Sequence, residues 1–154
     1  MIETLAEISK CFLTPMIAIV TAYVAWQQWQ ENKLKSKLER YERRLKIYQE
    51  ILKLLSTVLR DVNLTIIDLR DFRIATAEAH FLFSREIPKY INDIYKHGIG
   101  LASACDQYRD CMQEYPPDYD HQKTVKNKGD ERDWLLAQFE ILPKKFAKYL
   151  NISR

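Results

Sequence analysis

Residues 11–30, CFLTPMIAIVTAYVAWQQWQ, form the longest stretch of the chain without a charged side chain. A helix of that length, rising about 1.5 Å per residue, spans about 30 Å, which matches the hydrocarbon core of a bilayer. Tyr23, Trp26 and Trp29 lie near its C-terminal end, where aromatic rings favour the headgroup level. The stretch therefore predicts one transmembrane helix over 11–30, with a buried core helix as the alternative.

The charges on either side of this stretch predict its orientation. Residues 1–10 hold one Lys and two Glu, and this acidic start argues against a cleaved signal peptide. Residues 31–46 hold seven Lys and Arg against three Glu. Because positive flanks stay in the cytoplasm, we expect an outward-facing N-terminus over 1–10 and a cytoplasmic domain over 31–154. Within the basic stem, 31–46, four side chains are expected to meet anionic lipid headgroups: Lys33, Lys35, Lys37 and Arg40.

A stripe of small and weakly polar residues follows one face of the predicted span. At helical spacing it consists of Thr14, Ala18, Thr21, Ala25 and Gln28. Such a stripe lets helices approach closely and form hydrogen bonds across their interface. In a ring of copies it would line a narrow pore instead, and a third interpretation is that these residues have no special role. We predict self-association through this stripe.

The residues after the span are enough for one small helical domain. Only three Gly and five Pro occur in the chain, which is typical of long helices. A heptad seam of apolar residues, here called the stem seam, follows the span: Leu34, Leu38, Tyr41, Leu45, Tyr48, Leu52, Leu55 and Leu59. A second row, formed by Ile47, Ile51, Leu54 and Val58, widens the apolar face. We predict one uninterrupted helix that ends in a break around 60–65.

Three further segments complete the predicted domain. Apolar spacing predicts a helix over 66–83 and another from Ser84 towards Met112. Residues 114–130 read as a loop because they contain two adjacent prolines and few apolar residues. An amphipathic helix follows, with a kink at Pro143. The predicted fold class is all-α: a membrane helix continuous with an antiparallel bundle of about four helices.

No motif for a metal or a cofactor is visible. The three His and three Cys show no ligand spacing, and no Gly-rich phosphate loop occurs. We therefore predict no metal and no cofactor. Cys105 and Cys111 are interpreted as small apolar residues on a helix, kept reduced in the cytoplasm.

Arg73 and His80 are the one candidate catalytic pair. On a continuous helix they would share one face, and the spacing marks this face as inward. Across a symmetric interface, the imidazole would move a proton and the guanidinium would stabilise developing charge in RNA cleavage. The alternative is structural: Arg73 pairs with Asp68, Asp71 or Glu78, and His80 is a satisfied, partly buried histidine. For ordinary helical proteins the structural alternative is the commoner one.

Several segments carry a resemblance to a known family. The span ending in AWQQWQ with the following KLKSKLERYERRLKIYQEIL, and the later EAHFLFSREIPKYINDIYK and QFEILPKKFAKYL, resemble small single-span bacterial membrane proteins with a HEPN-like helical domain. Among these, the chain is most similar to membrane accessory proteins of type VI-B CRISPR systems. HEPN ribonucleases carry an Arg, four to six residues and a His, which Arg73 and His80 match. Ile74 departs from the polar residue usual after that Arg, which places RNA cleavage in doubt.

The resemblance implies a function for the whole chain. It implies a HEPN-like bundle that assembles as a homo-oligomeric ring in the bacterial inner membrane. The anchors would form a pore that disrupts membrane potential in antiphage defence, with an RNA-guided effector or RNA as a further partner. The alternatives are a membrane-tethered, metal-independent ribonuclease of HEPN type and a non-enzymatic anchor that recruits a cytoplasmic partner.

Overall fold

The computed structural model describes residues 2–61, 64–108 and 119–151, with side chains described from Met16 onwards. Within these ranges every regular element is a helix, which confirms the all-α prediction. The helices are α1 (Ile2–Asp61), α2 (Ile66–Ala75), α3 (Ala79–Leu82), α4 (Glu86–Gln107) and α5 (His121–Phe146). The chain divides into two compact units, Met1–Arg40 and Tyr41–Arg154, and their boundary falls within α1.

The long first helix ends where the sequence predicts. α1 is uninterrupted to Asp61, and α2 begins at Ile66, so the predicted break around 60–65 is confirmed. Thr65 caps α2: its hydroxyl accepts a hydrogen bond from the Asp68 N–H at 3.2 Å. In return, the Asp68 carboxylate accepts one from the Thr65 N–H at 3.0 Å. This reciprocal capping box satisfies backbone donors that the start of a helix otherwise leaves unpaired.

The structure does not support the predicted membrane span. Across the described residues, none of the helices combines the length and the apolar character that such a crossing requires. The prediction over 11–30 begins before Met16, so its first five side chains lie outside those described.

The core of the second unit uses the second apolar row of α1 more fully than the stem seam. Ile47, Ile51, Leu54 and Val58 are all buried. Of the stem seam within this unit, Leu55 is buried, Leu59 is exposed, and the others are half-buried: Tyr41, Leu45, Tyr48 and Leu52. The alternation of three and four residues therefore identifies an apolar helix correctly. The choice of face depends on which side the other helices pack against.

Side-chain contacts show that α4 and α5 run antiparallel to each other. Near the start of α4, the Tyr90 ring centroid lies 5.0 Å from the Lys145 Nζ, near the end of α5. Further along α4, His97 meets Glu131 in the middle of α5. As the α4 residue number rises, its α5 partner's number falls. The most deeply buried side chains come from α1, α4 and α5, among them Ile51, Leu55, Ile94, Leu101, Leu135, Leu142 and Phe146, and α2 adds the buried Leu69 and Phe72.

Two predicted boundaries are wrong. The helix predicted over 66–83 is interrupted: α2 ends at Ala75, residues 76–78 form a turn, and α3 begins at Ala79. Thr76 ends α2, and its hydroxyl donates to the Phe72 carbonyl at 2.8 Å. The loop predicted over 114–130 is wrong from 121 onwards, because α5 begins at His121 and continues through Pro143. Residues 109–118, which include Cys111 and Met112, lie outside the described residues.

The early start of α5 has a local cause and a testable consequence. Asp120 caps the helix, accepting a hydrogen bond from the Lys123 N–H at 3.0 Å. Gly129 therefore lies inside a helix, and a Cβ added there would meet nothing within 4 Å. We expect Gly129→Ala to raise the free energy of unfolding by about 0.5–1 kcal/mol, because Gly is entropically costly in a helix. Urea unfolding measures this change.

Gly98→Ala is the matched comparison for this prediction. A Cβ at Gly98 would lie 2.5 Å from Cδ2 of the buried Leu69, so we expect overpacking to outweigh the helix gain and to lower stability. Destabilisation by Gly129→Ala would contradict the helical assignment of residues 121–130.

Tyr90 carries a buried hydroxyl with no hydrogen-bond partner in the described part of the chain. Burial raises the pKa of this phenol to about 12, from a reference of 10.0. Because the pKa is higher in the folded state, the phenol ionises first in the unfolded chain as the pH rises above 10. The free energy of unfolding is therefore unaffected by this group below about pH 10 and falls as the pH rises towards 12.

We expect Tyr90→Phe to be neutral or stabilising by up to about 1 kcal/mol, because it removes an unsatisfied polar atom and keeps the ring. The free energy of unfolding of the variant should also fall less than that of wild type between pH 10 and pH 12. Urea unfolding at neutral and alkaline pH tests both statements, with Tyr95→Phe on the half-exposed face as control. A clear loss of stability at pH 7 would mean that the Tyr90 hydroxyl has a partner.

Candidate functional sites

The first candidate site is the exposed apolar part of α1 in the first unit, here called the apolar segment, residues 16–29. Its large apolar side chains are between 44% and 69% exposed: Met16, Ile17, Ile19, Val20, Tyr23, Val24, Trp26 and Trp29. At about 100° per residue, most of these side chains cover roughly half of the helix circumference. Nothing in the described part of the first unit shields them from water.

The predicted polar stripe lies on the other half of the same helix. Ala18, Thr21, Ala25 and Gln28 are all exposed, whereas the Thr14 side chain lies outside those described. The Thr21 hydroxyl donates to the Ile17 carbonyl at 2.7 Å. This bond within the helix satisfies the donor without a second chain, which is how a Thr is accommodated in an apolar environment.

The basic residues that follow the apolar segment are also exposed. Lys33, Lys35, Lys37 and Arg40 all face solvent. The Lys33 ammonium lies 4.9 Å from the Trp29 ring centroid, and the Arg40 Nε donates to the Ser36 carbonyl at 3.2 Å. In the described part of the chain none of the four forms an ion pair. Their charge is therefore available to an anionic surface.

The second candidate site is a cleft of about 620 Å³ in the second unit, here called the basic cleft. Four cationic or titratable side chains line it: Arg73, His80, Arg85 and Lys89. No carboxylate is among its lining residues. The remaining walls are Thr76, Asn92 and an apolar group formed by Ala77, Ala79, Phe83, Pro88 and Ile91.

Arg73 and His80 reach the basic cleft in a way that the sequence does not predict. They lie on different helices, α2 and α3, and both are exposed rather than inward-facing. Both side chains nevertheless line one cleft. The predicted inward face is wrong, because both residues are exposed.

The structural alternative for this pair also differs from the observed contacts. Arg73 Nη1 lies 3.4 Å from the Asn92 Oδ1, and its guanidinium carbon lies 4.7 Å from the Tyr95 ring centroid. Its predicted carboxylate partners are engaged elsewhere: Asp68 with Thr65, Asp71 with Arg70 and Glu78 with Arg43. His80 forms no hydrogen bond or ion pair with any described residue.

α3, the helix that carries His80, is tied to the rest of the unit by Arg44. The Arg44 Nε donates to the Leu82 carbonyl at 3.1 Å, and its Nη1 donates to the Tyr149 carbonyl at 3.4 Å. The same guanidinium lies over the rings of Phe83 and Tyr149, 5.7 Å from each centroid. One half-buried arginine from α1 therefore holds the C-terminal end of α3 in place.

Arg85 and Lys89 are cleft residues that the sequence interpretation missed. Arg85 precedes the first residue of α4, and Lys89 lies one turn later, so both side chains project from the same end of the helix. The sequence signal that could have identified them is the spacing of four residues between two cations at the start of a helix. Both are exposed, and neither forms an ion pair within the described residues.

The carboxylate beside these two cations is directed away from the cleft. Glu86 accepts a hydrogen bond from the Lys148 ammonium at 2.6 Å. That bond, with the charge of Lys148, holds the pKa of Glu86 below its usual value. The Glu86 carboxylate in turn raises the pKa of Lys148. Glu86 is therefore an ionised carboxylate whose charge is paired with that of Lys148.

The other His and Cys residues give no metal centre in the part of the chain that is described. His97 lies 2.6 Å from a Glu131 oxygen and stacks on Trp134. His121 lies at the start of α5, with its Nδ1 3.3 Å from the Tyr119 hydroxyl. Cys105 is half-buried on α4 and packs against the core, whereas the Cys11 side chain and Cys111 lie outside the described residues.

No protein-family model, no curated protein and no solved structure matches this chain.

Proposed function

We propose that this protein is a membrane-anchored, self-associating effector whose N-terminal helix over 11–30 crosses the bacterial inner membrane. The observation that carries the proposal is the exposure of the apolar segment, residues 16–29. Burying one large apolar side chain contributes about 1.5–3 kcal/mol. Burial of this segment would therefore contribute more than about 10 kcal/mol. The basic residues Lys33, Lys35, Lys37 and Arg40 follow where anionic headgroups would lie.

The distribution of side chains around the helix supports self-association. Large apolar side chains lie on one half of the helix and would face lipid, while Ala18, Thr21, Ala25 and Gln28 lie on the other half. Small side chains let two helix backbones approach closely, and helices associate in membranes through such faces. In a ring of copies this stripe would line a pore that disrupts the membrane potential, which is the role in antiphage defence that the resemblance implies.

The mass of the full chain, purified in detergent, tests the assembly. We expect light scattering, corrected for bound detergent, to give one uniform species of many copies. A monomer or a dimer would exclude a pore formed by this chain alone.

Ion flux through protein reconstituted in vesicles tests the pore. Thr21→Leu with Gln28→Leu removes the polar groups of the stripe and should abolish flux. The control pair, Val20→Leu with Val24→Leu, alters the lipid-facing half and should preserve it. Equal flux in both pairs would refute the assignment of the stripe to a pore.

A second candidate function is a membrane-tethered ribonuclease of HEPN type. The observation that favours it is that Arg73 and His80 line the same cleft. Cleavage of RNA by the purified wild-type protein, lost in both Arg73→Ala and His80→Ala, would establish it. If RNA stays intact after prolonged incubation with the purified protein, the ribonuclease function is refuted.

A further inference from the structure

We propose that the basic cleft is a binding site for a small phosphorylated ligand of mononucleotide size. Arg85 and Lys89 would bind the phosphate, and Arg73 would supply a third cation from the opposite helix. This inference concerns the second unit alone. It does not depend on whether the chain forms a pore, and it is an alternative to RNA binding in the same cleft.

The charge balance around the cleft is the first argument. Arg73, Arg85 and Lys89 share one cleft, and none of them forms an ion pair with a described carboxylate. Acidic residues close in sequence are already used: Glu78 pairs with Arg43 at 3.6 Å and Glu86 with Lys148 at 2.6 Å. Cations gathered without counter-charges repel one another, and a bound anion removes that repulsion. A phosphate suits this role because its oxygens accept two parallel N–H hydrogen bonds from one guanidinium.

The placement of Arg73 is the second argument. Its guanidinium is held by the Asn92 side-chain oxygen at 3.4 Å and by the face of Tyr95 at 4.7 Å. These contacts use one of its five N–H donors and restrict the side chain, so the others remain available for a ligand. A cation held in advance loses less entropy when it binds.

The shape and the apolar wall of the cleft narrow the ligand class. A volume of about 620 Å³ lies within the range of small-molecule sites, about 300–1,000 Å³. Phe83, Pro88 and Ile91 provide an apolar wall beside the cations. A wall of this kind suits a flat base or another apolar group attached to the phosphate. Inorganic phosphate would leave this wall unused.

The distribution of other cations argues against a site that follows a nucleic-acid strand. A protein that binds single strands needs a groove of cations along the backbone path. Here the neighbouring arginines outside the cleft are paired: Arg43 with Glu78 and Arg70 with Asp71. The unpaired cations of this region therefore converge on one cleft instead of forming a track.

Binding of adenosine 5′-monophosphate to the full chain in detergent, followed by isothermal titration calorimetry, tests the proposal. We expect Arg85→Gln with Lys89→Gln to weaken binding at least about tenfold, because two charge-assisted contacts are lost. The control, Lys123→Gln with Lys126→Gln, removes the same charge from exposed positions of α5 and should change affinity less than about twofold. Circular dichroism and thermal unfolding should be unchanged in both pairs, since all four side chains are exposed.

Titrations with adenosine and with inorganic phosphate test which class of ligand the basic cleft binds. Adenosine and inorganic phosphate should each bind more weakly than the monophosphate, because each lacks half of the recognised groups. Equal affinity for inorganic phosphate would overturn the role of the apolar wall. No binding of the monophosphate by wild type, equal binding by Arg85→Gln with Lys89→Gln, or tight binding of a twelve-nucleotide RNA alone would overturn the proposal.

Discussion

Replacing Phe146 with Ala should lower the free energy of unfolding by about 3–5 kcal/mol. This side chain is fully buried near the end of α5. Its ring makes edge-to-face contacts with Tyr48 of α1, at 5.4 Å between centroids, and with Phe83, at 5.3 Å. Truncation would leave a cavity where α5, α1 and the segment that follows α3 meet, and urea unfolding of the full chain in detergent would measure the loss.

Phe81→Ala is the matched control for this change. The same ring is removed, but Phe81 is 90% exposed on α3, so stability should change by less than about 0.5 kcal/mol. Equal losses in the two variants would mean that Phe146 is not the centre of the core. A larger loss in Phe81→Ala would show that α3 is covered by a partner in the assembled protein.

If the proposed anchor crosses a membrane, introducing two Asp residues into the apolar segment, by Ile19→Asp with Val20→Asp, should release the protein from membranes. A charged residue at the middle of a membrane helix costs about 2.5–3.5 kcal/mol on an insertion scale. The pair therefore shifts the partition between membrane and solution by several orders of magnitude. Separation of cell membranes after a carbonate wash, followed by immunodetection, measures the fraction that remains bound.

The same two charges placed in the basic stem provide the control. Asn32→Asp with Ser36→Asp lies just after the apolar segment, at exposed positions of α1, and should weaken membrane binding only slightly through the loss of attraction to anionic lipid. The anchor is refuted if wild type is recovered in the soluble fraction. It is equally refuted if Ile19→Asp with Val20→Asp stays in the carbonate-washed membrane.

Local sequence determined much of the fold. Low Gly and Pro content and regular apolar spacing predicted the helices, because helix formation depends on residues three and four apart. The end of α1 at Asp61 and the start of α2 at Ile66 followed from the same reasoning. The exposure of residues 16–29 agrees with a stretch that contains no charged side chain and whose large apolar side chains are not covered by any described residue of the first unit.

Tertiary contacts decided what spacing alone left ambiguous. The stem seam and the row of Ile47, Ile51, Leu54 and Val58 are both apolar, and only the packing of other helices selected the second row for the core. The break at Thr76 was missed because an apolar period of three to four continues across the turn. The helix over 121–130 was missed because its buried side chains are few, so its position depends on α4 and on the Asp120 cap.

The candidate site shows the same division. Sequence spacing drew attention to Arg73 and His80, yet it placed them on one inward face of a continuous helix. In the structure they lie on two separate helices and are exposed, and the position of α4 adds Arg85 and Lys89 to the same cleft. Helical periodicity is a local property and determines which elements form. The convergence of side chains from three helices depends on contacts between residues far apart in sequence, which periodicity does not encode.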